Sequence, residues 1–180
     1  HGFLQSQGEK MSKSLGNVVS PLDLVDRYGL DQMRYFFMRE VPFGSDGNYS
    51  HESLVNRTNA DLANDLGNLA QRSLSMIARN CAGAVPAHGE YSDAERNLLS
   101  DADEMLGGAR LHMETQAIHL ALGEVWKIVA GANRYFAEQQ PWALAKTDVP
   151  RMQTVLYVTA EVLRQICILA QPVIPQGAAL

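Results

Sequence analysis

From residue 51 to the end of the chain, apolar residues recur at helical spacing in long stretches, broken only by short Gly- and Pro-marked connectors. This pattern constrains the fold more than any other feature. Residues 51–81 carry Leu62, Leu66, Leu69, Ala70, Leu74 and Ile77 on one stripe, which predicts a helix. Gly83, Pro86 and Gly89 mark a loop over 82–91. Ser92 and Glu95 have capping-box spacing, and the helix they open is predicted to run to about Met113. Another helix is predicted over 116–139. Pro141 restarts a short one, and Pro150 begins the last long one, with Met152, Val155, Leu156, Val162, Leu163, Ile166 and Leu169 facing inward. Long amphipathic helices joined by short connections must fold back on one another. The expected class is mainly α, an antiparallel helical bundle.

The first 50 residues differ. Residues 1–20 are rich in Gly, Ser, Gln and Asn and read as loop, with a short strand at Phe3-Leu4. Ser20-Pro21 is an N-cap followed by a favoured first helical residue, and Asp23 and Asp26 suit the early turns of the helix it opens. Asp31 to Glu40 continues helically after a break at Gly29. Residues 42–50 form a turn-rich connector and the best internal boundary, giving a segment 1–50 and a helical domain 51–180. One hundred and eighty residues suffice for such a module plus a sizeable core.

Composition excludes several functions. No apolar run approaches the roughly 20 residues that span a bilayer, and the opening His1-Gly2-Phe3-Leu4-Gln5-Ser6 lacks the basic and apolar regions of a secretory signal. Cys81 and Cys167 form no CxxC pair and no Cys/His set, so no metal site is expected; they read as small buried hydrophobes in a reducing compartment. Met33, Met38, Met76, Met105, Met113 and Met152 read as core filler. His112 and His119 are seven apart with no third ligand in view, and Asp101, Asp103 and Glu104 read as a solvated helix face. The net charge of −5 argues against a generic nucleic-acid coat, though not against a reader that uses a few placed residues. The acidity lies mostly in the second half. Residues 1–80 hold 8 Lys/Arg against 9 Asp/Glu, and residues 81–180 hold 7 against 11.

Two places carry residues suited to chemistry. Lys10-Met11-Ser12-Lys13-Ser14, followed by Leu15-Gly16-Asn17, is a compact cationic loop. Each ammonium is a mobile point charge with three donors, which suits phosphate oxygens. Gly8 and Gly16 flank the run and give it conformational freedom. On the 51–81 helix, Asn68 and Arg72 are spaced i, i+4 and lie side by side, roughly opposite the apolar stripe. Such a pair is ordinarily a solvated surface. Both side chains also suit unstacked bases, Asn as donor and acceptor and Arg as a planar fork that can stack.

The lysine run resembles the signature loop of class I aminoacyl-tRNA synthetases. His1-Gly2-Phe3-Leu4, Ser14-Leu15-Gly16-Asn17, Gly29-Leu30-Asp31-Gln32-Met33-Arg34-Tyr35-Phe36 and Arg39-Glu40-Val41-Pro42-Phe43-Gly44-Ser45-Asp46-Gly47 resemble consecutive segments of methionyl-tRNA synthetases, and the likeness extends over essentially the whole chain. The resemblance implies that Lys10 and Lys13 are catalytic and, with Met11, Ser12 and Ser14, meet the phosphates of ATP. It implies an anticodon-binding domain after a stem-contact segment. There Asn68-Leu69-Ala70-Gln71-Arg72 supplies one anticodon element, and Asn133-Arg134-Tyr135-Phe136…Gln140-Pro141-Trp142 the second, with Trp142 stacking on a base and Asn133 and Tyr135 assisting. It further implies methionine tRNA, initiator and elongator, as partner, a cytoplasmic location, and ATP with Mg²⁺ in the full-length parent, none of it bound by this chain alone. Nine residues before Lys10 cannot hold a nucleotide-binding domain, and the chain ends at Gln176-Gly177-Ala178-Ala179-Leu180 without an obvious cap. The expectation is therefore the C-terminal part of such an enzyme, with its N-terminal catalytic domain as a further partner. A non-catalytic tRNA-binding module and the equivalent part of another class I synthetase remain the alternatives.

Overall fold

The computed structural model describes residues 2–6 and 8–179. His1 and Leu180, which belong to expectations above, lie outside the described residues. The order is β1 (Leu4–Ser6), β2 (Glu9–Lys10), a 3-10 turn (Lys13–Leu15), α1 (Pro21–Tyr28), α2 (Leu30–Glu40), β3 (Gly47–Tyr49), α3 (His51–Arg57), a π-helical segment (Thr58–Gly67), α4 (Asn68–Asn80), α5 (Asp93–Glu114), α6 (Ile118–Gln139), α7 (Pro141–Thr147) and α8 (Val149–Ala170). Among the described residues, no helix is long and apolar enough to cross a membrane.

The mainly α class and the bundle are as expected. Ser20 accepts from the backbone of Asp23, and Ser92 donates through both its N–H (2.8 Å) and its hydroxyl (2.7 Å) to Glu95. The inward set of α8 is buried, with Leu169 half-buried. Several differences stand out. Residues 4–49 hold a three-stranded sheet in the order β2-β1-β3, with β1 antiparallel to β2 and parallel to β3. Strands of two or three residues are too short to show alternation, and Leu4 meets Gly47 only through tertiary contact. The expected single helix 51–81 is two α-helices joined by the π segment. Leu74, expected on the inward stripe, is 50% exposed, and Ser73 is buried in its place. Met113, expected in the core, is exposed at the end of α5, while Cys81 and Cys167 are half-buried, with burial pushing both thiol pKa values up.

Among the described residues two apolar clusters result, and α2 lies between them. Phe36 packs with Leu24, Tyr49 and Leu54 in the smaller one, while its neighbour Tyr35 enters the larger one formed by α4, α5, α6 and α8. Helix α2 also straps the end of the chain. Arg34 donates to the carbonyls of Pro172 (2.7 Å) and Val173 (3.1 Å), and the Asp31 carboxylate accepts from the backbone N–H of Gly177 at 2.6 Å. The lysine loop and the bundle are thus joined by one helix with a side chain in each core.

Candidate phosphate loop and nucleic-acid interface

The lysine run begins in β2 and turns through the 3-10 helix. The Asn17 side chain clamps the turn: its Oδ1 accepts from Ser12 N–H (2.8 Å) and its amide donates to the Lys10 carbonyl (3.2 Å). Ser12 Oγ accepts from Leu15 N–H at 3.2 Å and lies 3.1 Å from Ser14 Oγ. Gly16 closes the turn at φ 65°, a left-handed conformation that side chains resist. From the sheet side, Asn48 on β3 accepts from Gly8 N–H at 2.9 Å. Met11 is half-buried against the smaller core, so the middle of the loop is rooted while its charges stay out. Lys10, Lys13 and Ser14 are exposed. Lys10 Nζ sits 4.6 Å from the centroid of the Phe3 ring, a cation–π contact that holds the ammonium over the sheet. Chemically this is a pair of solvated cations with hydroxyls between them on a braced turn.

The second site lies where α4 meets α6 and α7. Arg72 is exposed, and its guanidinium carbon lies 5.0 Å from the centroid of Phe136 and 5.4 Å from that of Trp142. The two rings are 6.0 Å apart and tilted. Phe136 is buried and forms the floor; Trp142 is 44% exposed and forms the wall. Pro141 is buried and fixes the start of α7, and Gln140 before it adopts φ 47°, so the chain turns sharply to bring Trp142 over Arg72. Asn68 is exposed one turn before Arg72 on α4. A planar cation against two aromatic rings, beside an exposed amide, is a platform for stacking and edge recognition of an unpaired base.

Asn133 and Tyr135 do not join this platform. Tyr135 is buried, and its hydroxyl donates to Glu95 at 2.6 Å. Burial, and then the adjacent carboxylate, push its pKa up, so the phenol stays neutral and directed inward. The expected base contact by Tyr135 is corrected on that ground. Asn133 is half-buried, and its amide donates to the carbonyls of Asp65 (3.0 Å) and Val129 (3.1 Å). Sequence reasoning missed Phe136 as the floor of the platform, although it stands beside Tyr135. Its spacing from Trp142 carries no helical signal, because the turn at Gln140 separates them.

Two family models match the chain, with Asn68 and Arg72 inside the first and Phe136 and Trp142 inside the second. The family of class I tRNA synthetases (M) matches residues 1–74, and the anticodon binding domain of methionyl tRNA ligase matches residues 85–180. The chain belongs to the methionyl-tRNA ligase family. Methionine–tRNA ligase of Brucella suis biovar 1 is 68% identical over 178 residues, and that of Mycobacterium tuberculosis H37Rv is 55% identical over 182. Each alignment takes in 99% of this chain and 35% of the relative, so the chain spans about a third of the methionyl-tRNA ligases it matches. Mycobacterium tuberculosis methionyl-tRNA synthetase in complex with methionyl-adenylate superposes with a TM-score of 0.96 at 55% identity, over 99% of this chain and 36% of that one. Its free state gives 0.91 at 50% identity, over 99% and 35%.

Proposed function

We propose that this chain is the part of a cytoplasmic methionyl-tRNA ligase that supplies the lysine loop and reads the anticodon. The division falls between residues 1–50 and 51–180. The parent activates methionine with ATP and transfers it to methionine tRNA, initiator and elongator alike. The observation that carries the reading is the exposed Arg72–Trp142 stack on its Phe136 floor, within a chain that matches methionyl-tRNA ligases over its whole length. An unstacked anticodon base stacks on the exposed part of the Trp142 indole, which Arg72 and Phe136 hold in place, and Asn68 reads an edge. Fluorescence anisotropy of a methionine-tRNA anticodon stem-loop at fixed salt tests this. The chain is expected to bind that hairpin more tightly than one with its three anticodon bases changed. Equal binding to both overturns the assignment.

In the parent, the methionine carboxylate attacks the α-phosphorus of ATP, the α–β phosphoanhydride bond breaks and pyrophosphate leaves; Lys10 and Lys13 follow the negative charge that develops on the phosphates, with Ser12 and Ser14 donating to the same oxygens. The pre-braced turn lets the cations act without first being ordered. Mg²⁺ accompanies ATP there. The loop offers only cations and hydroxyls, and among the described residues no three His, Cys, Asp or Glu side chains stand together as a metal-holding group. The loop therefore fits the phosphates and not the ion. Alanine at Lys10 or Lys13 in the full-length ligase is expected to slow methionine-dependent ATP–pyrophosphate exchange by about a hundredfold, the usual cost of one lost transition-state donor. This chain by itself is expected to form no adenylate. Unchanged exchange in both variants refutes the phosphate role.

A further inference from the structure

An α-helix turns once in about 3.6 residues, so eighteen residues make about five whole turns. Arg72 follows Leu54 by eighteen residues. On an unbroken α-helix starting at α3, Arg72 would point the way Leu54 points, and Leu54 is fully buried. Thr58 and Asp61, which share the Leu54 face, are buried as well. Yet Arg72 is exposed, and the buried positions on α4 are Leu69, Ser73 and Ile77. The π segment 58–67 accounts for the difference. Its i→i+5 hydrogen bonds advance the chain by a smaller angle per residue than an α-helix does. Over ten residues the lag accumulates to a large part of a turn.

Long π-helices need outside support, because their hydrogen bonds are poorly sustained. Helix α6 supplies it at two points. Trp126 Nε1 donates to the Asp61 carbonyl at 3.4 Å, and the Asn133 amide donates to the Asp65 carbonyl at 3.0 Å. The Asp65 carbonyl also receives the backbone N–H of Asn68, the first residue of α4. We infer that the π segment, clamped by Asn133 and Trp126, is the device that rotates Asn68 and Arg72 out of the core and onto the RNA-facing surface. Asn133 is a positioning residue that acts through Arg72. The inference rests on the proposed anticodon reading for its purpose, though its geometry stands without RNA.

Two variants test it. Asn133→Asp keeps the shape and removes the donor; Trp126→Phe keeps the apolar body and removes the indole N–H. The first readout needs no RNA. The Arg72 Nε–H resonance in this chain is expected to carry a ring-current shift from Phe136 and Trp142, and to lose much of it in both variants. The second is stem-loop binding, expected to weaken about tenfold, the scale of one lost hydrogen bond to a charged or polarised group. Asn133→Asp added to Arg72→Ala is expected to cost no further affinity, because the two act as one unit. An unmoved Arg72 resonance in both variants overturns the inference. Additive losses overturn it too, since they make Asn133 an independent RNA contact. Lack of anticodon preference in the unaltered chain defeats the proposed function and leaves the resonance test standing.

Discussion

Arg151→Met will destabilise this chain by about 3–5 kcal/mol, the scale of a buried ion pair broken from one side. The Glu95 side chain has no exposed surface. Its two oxygens receive the Arg151 guanidinium at 2.9 and 2.7 Å, the Tyr135 hydroxyl at 2.6 Å, and both donors of Ser92. Burial by itself would raise the Glu95 pKa; the hydrogen bonds from Arg151, Ser92 and Tyr135 overcome it and bring the value down from 4.5 to about 2. A folded-state pKa below the unfolded one contributes stability that is fully present above about 4.5 and is lost as pH falls toward 2. Without Arg151 the carboxylate is buried and unpaired, and its protonation then favours the folded state. The gap between the two proteins should therefore be largest near neutral pH and narrow as pH falls from 5 to 3. Urea melts at several pH values measure this, and a gap below about 1 kcal/mol, or one independent of pH, refutes it.

Trp142→Ala is expected to weaken binding of the methionine anticodon stem-loop by about 1–3 kcal/mol, or roughly 5- to 150-fold, the range for one base–aromatic stack. The same change should alter folding stability little, because the indole is 44% exposed. Phenylalanine at 142 should restore part of the affinity. Arg72→Lys should not restore what Arg72→Ala loses, since an ammonium keeps the charge but lacks the plane that lies on Phe136 and Trp142. Anisotropy at one salt concentration separates the outcomes. An unchanged affinity in Trp142→Ala removes the stack from the proposed interface.

The glutamate network also explains which residues were legible beforehand. Ser92 and Glu95 announce a helix start by spacing alone, and the cap is where that spacing puts it. What Glu95 does beyond the cap, gathering Tyr135 from α6 and Arg151 from α8, has no local signature, because its partners are 40 and 56 residues away. Tyr135 consequently read as a base contact when it is a hydrogen-bond donor to a buried carboxylate.

By itself the sequence determined the helices, their caps and the lysine loop, since each depends on residues within a turn or two of one another. Tertiary structure decided the rest. It paired Leu4 with Gly47 and laid Phe136 beneath Arg72. It buried Ser73 in place of Leu74 and opened the stretch 58–67 into a π-helix. The reason is physical: local periodicity assumes a constant turn per residue, and the donors that hold Asp61 and Asp65 out of α-helical register come from Trp126 and Asn133 on another helix.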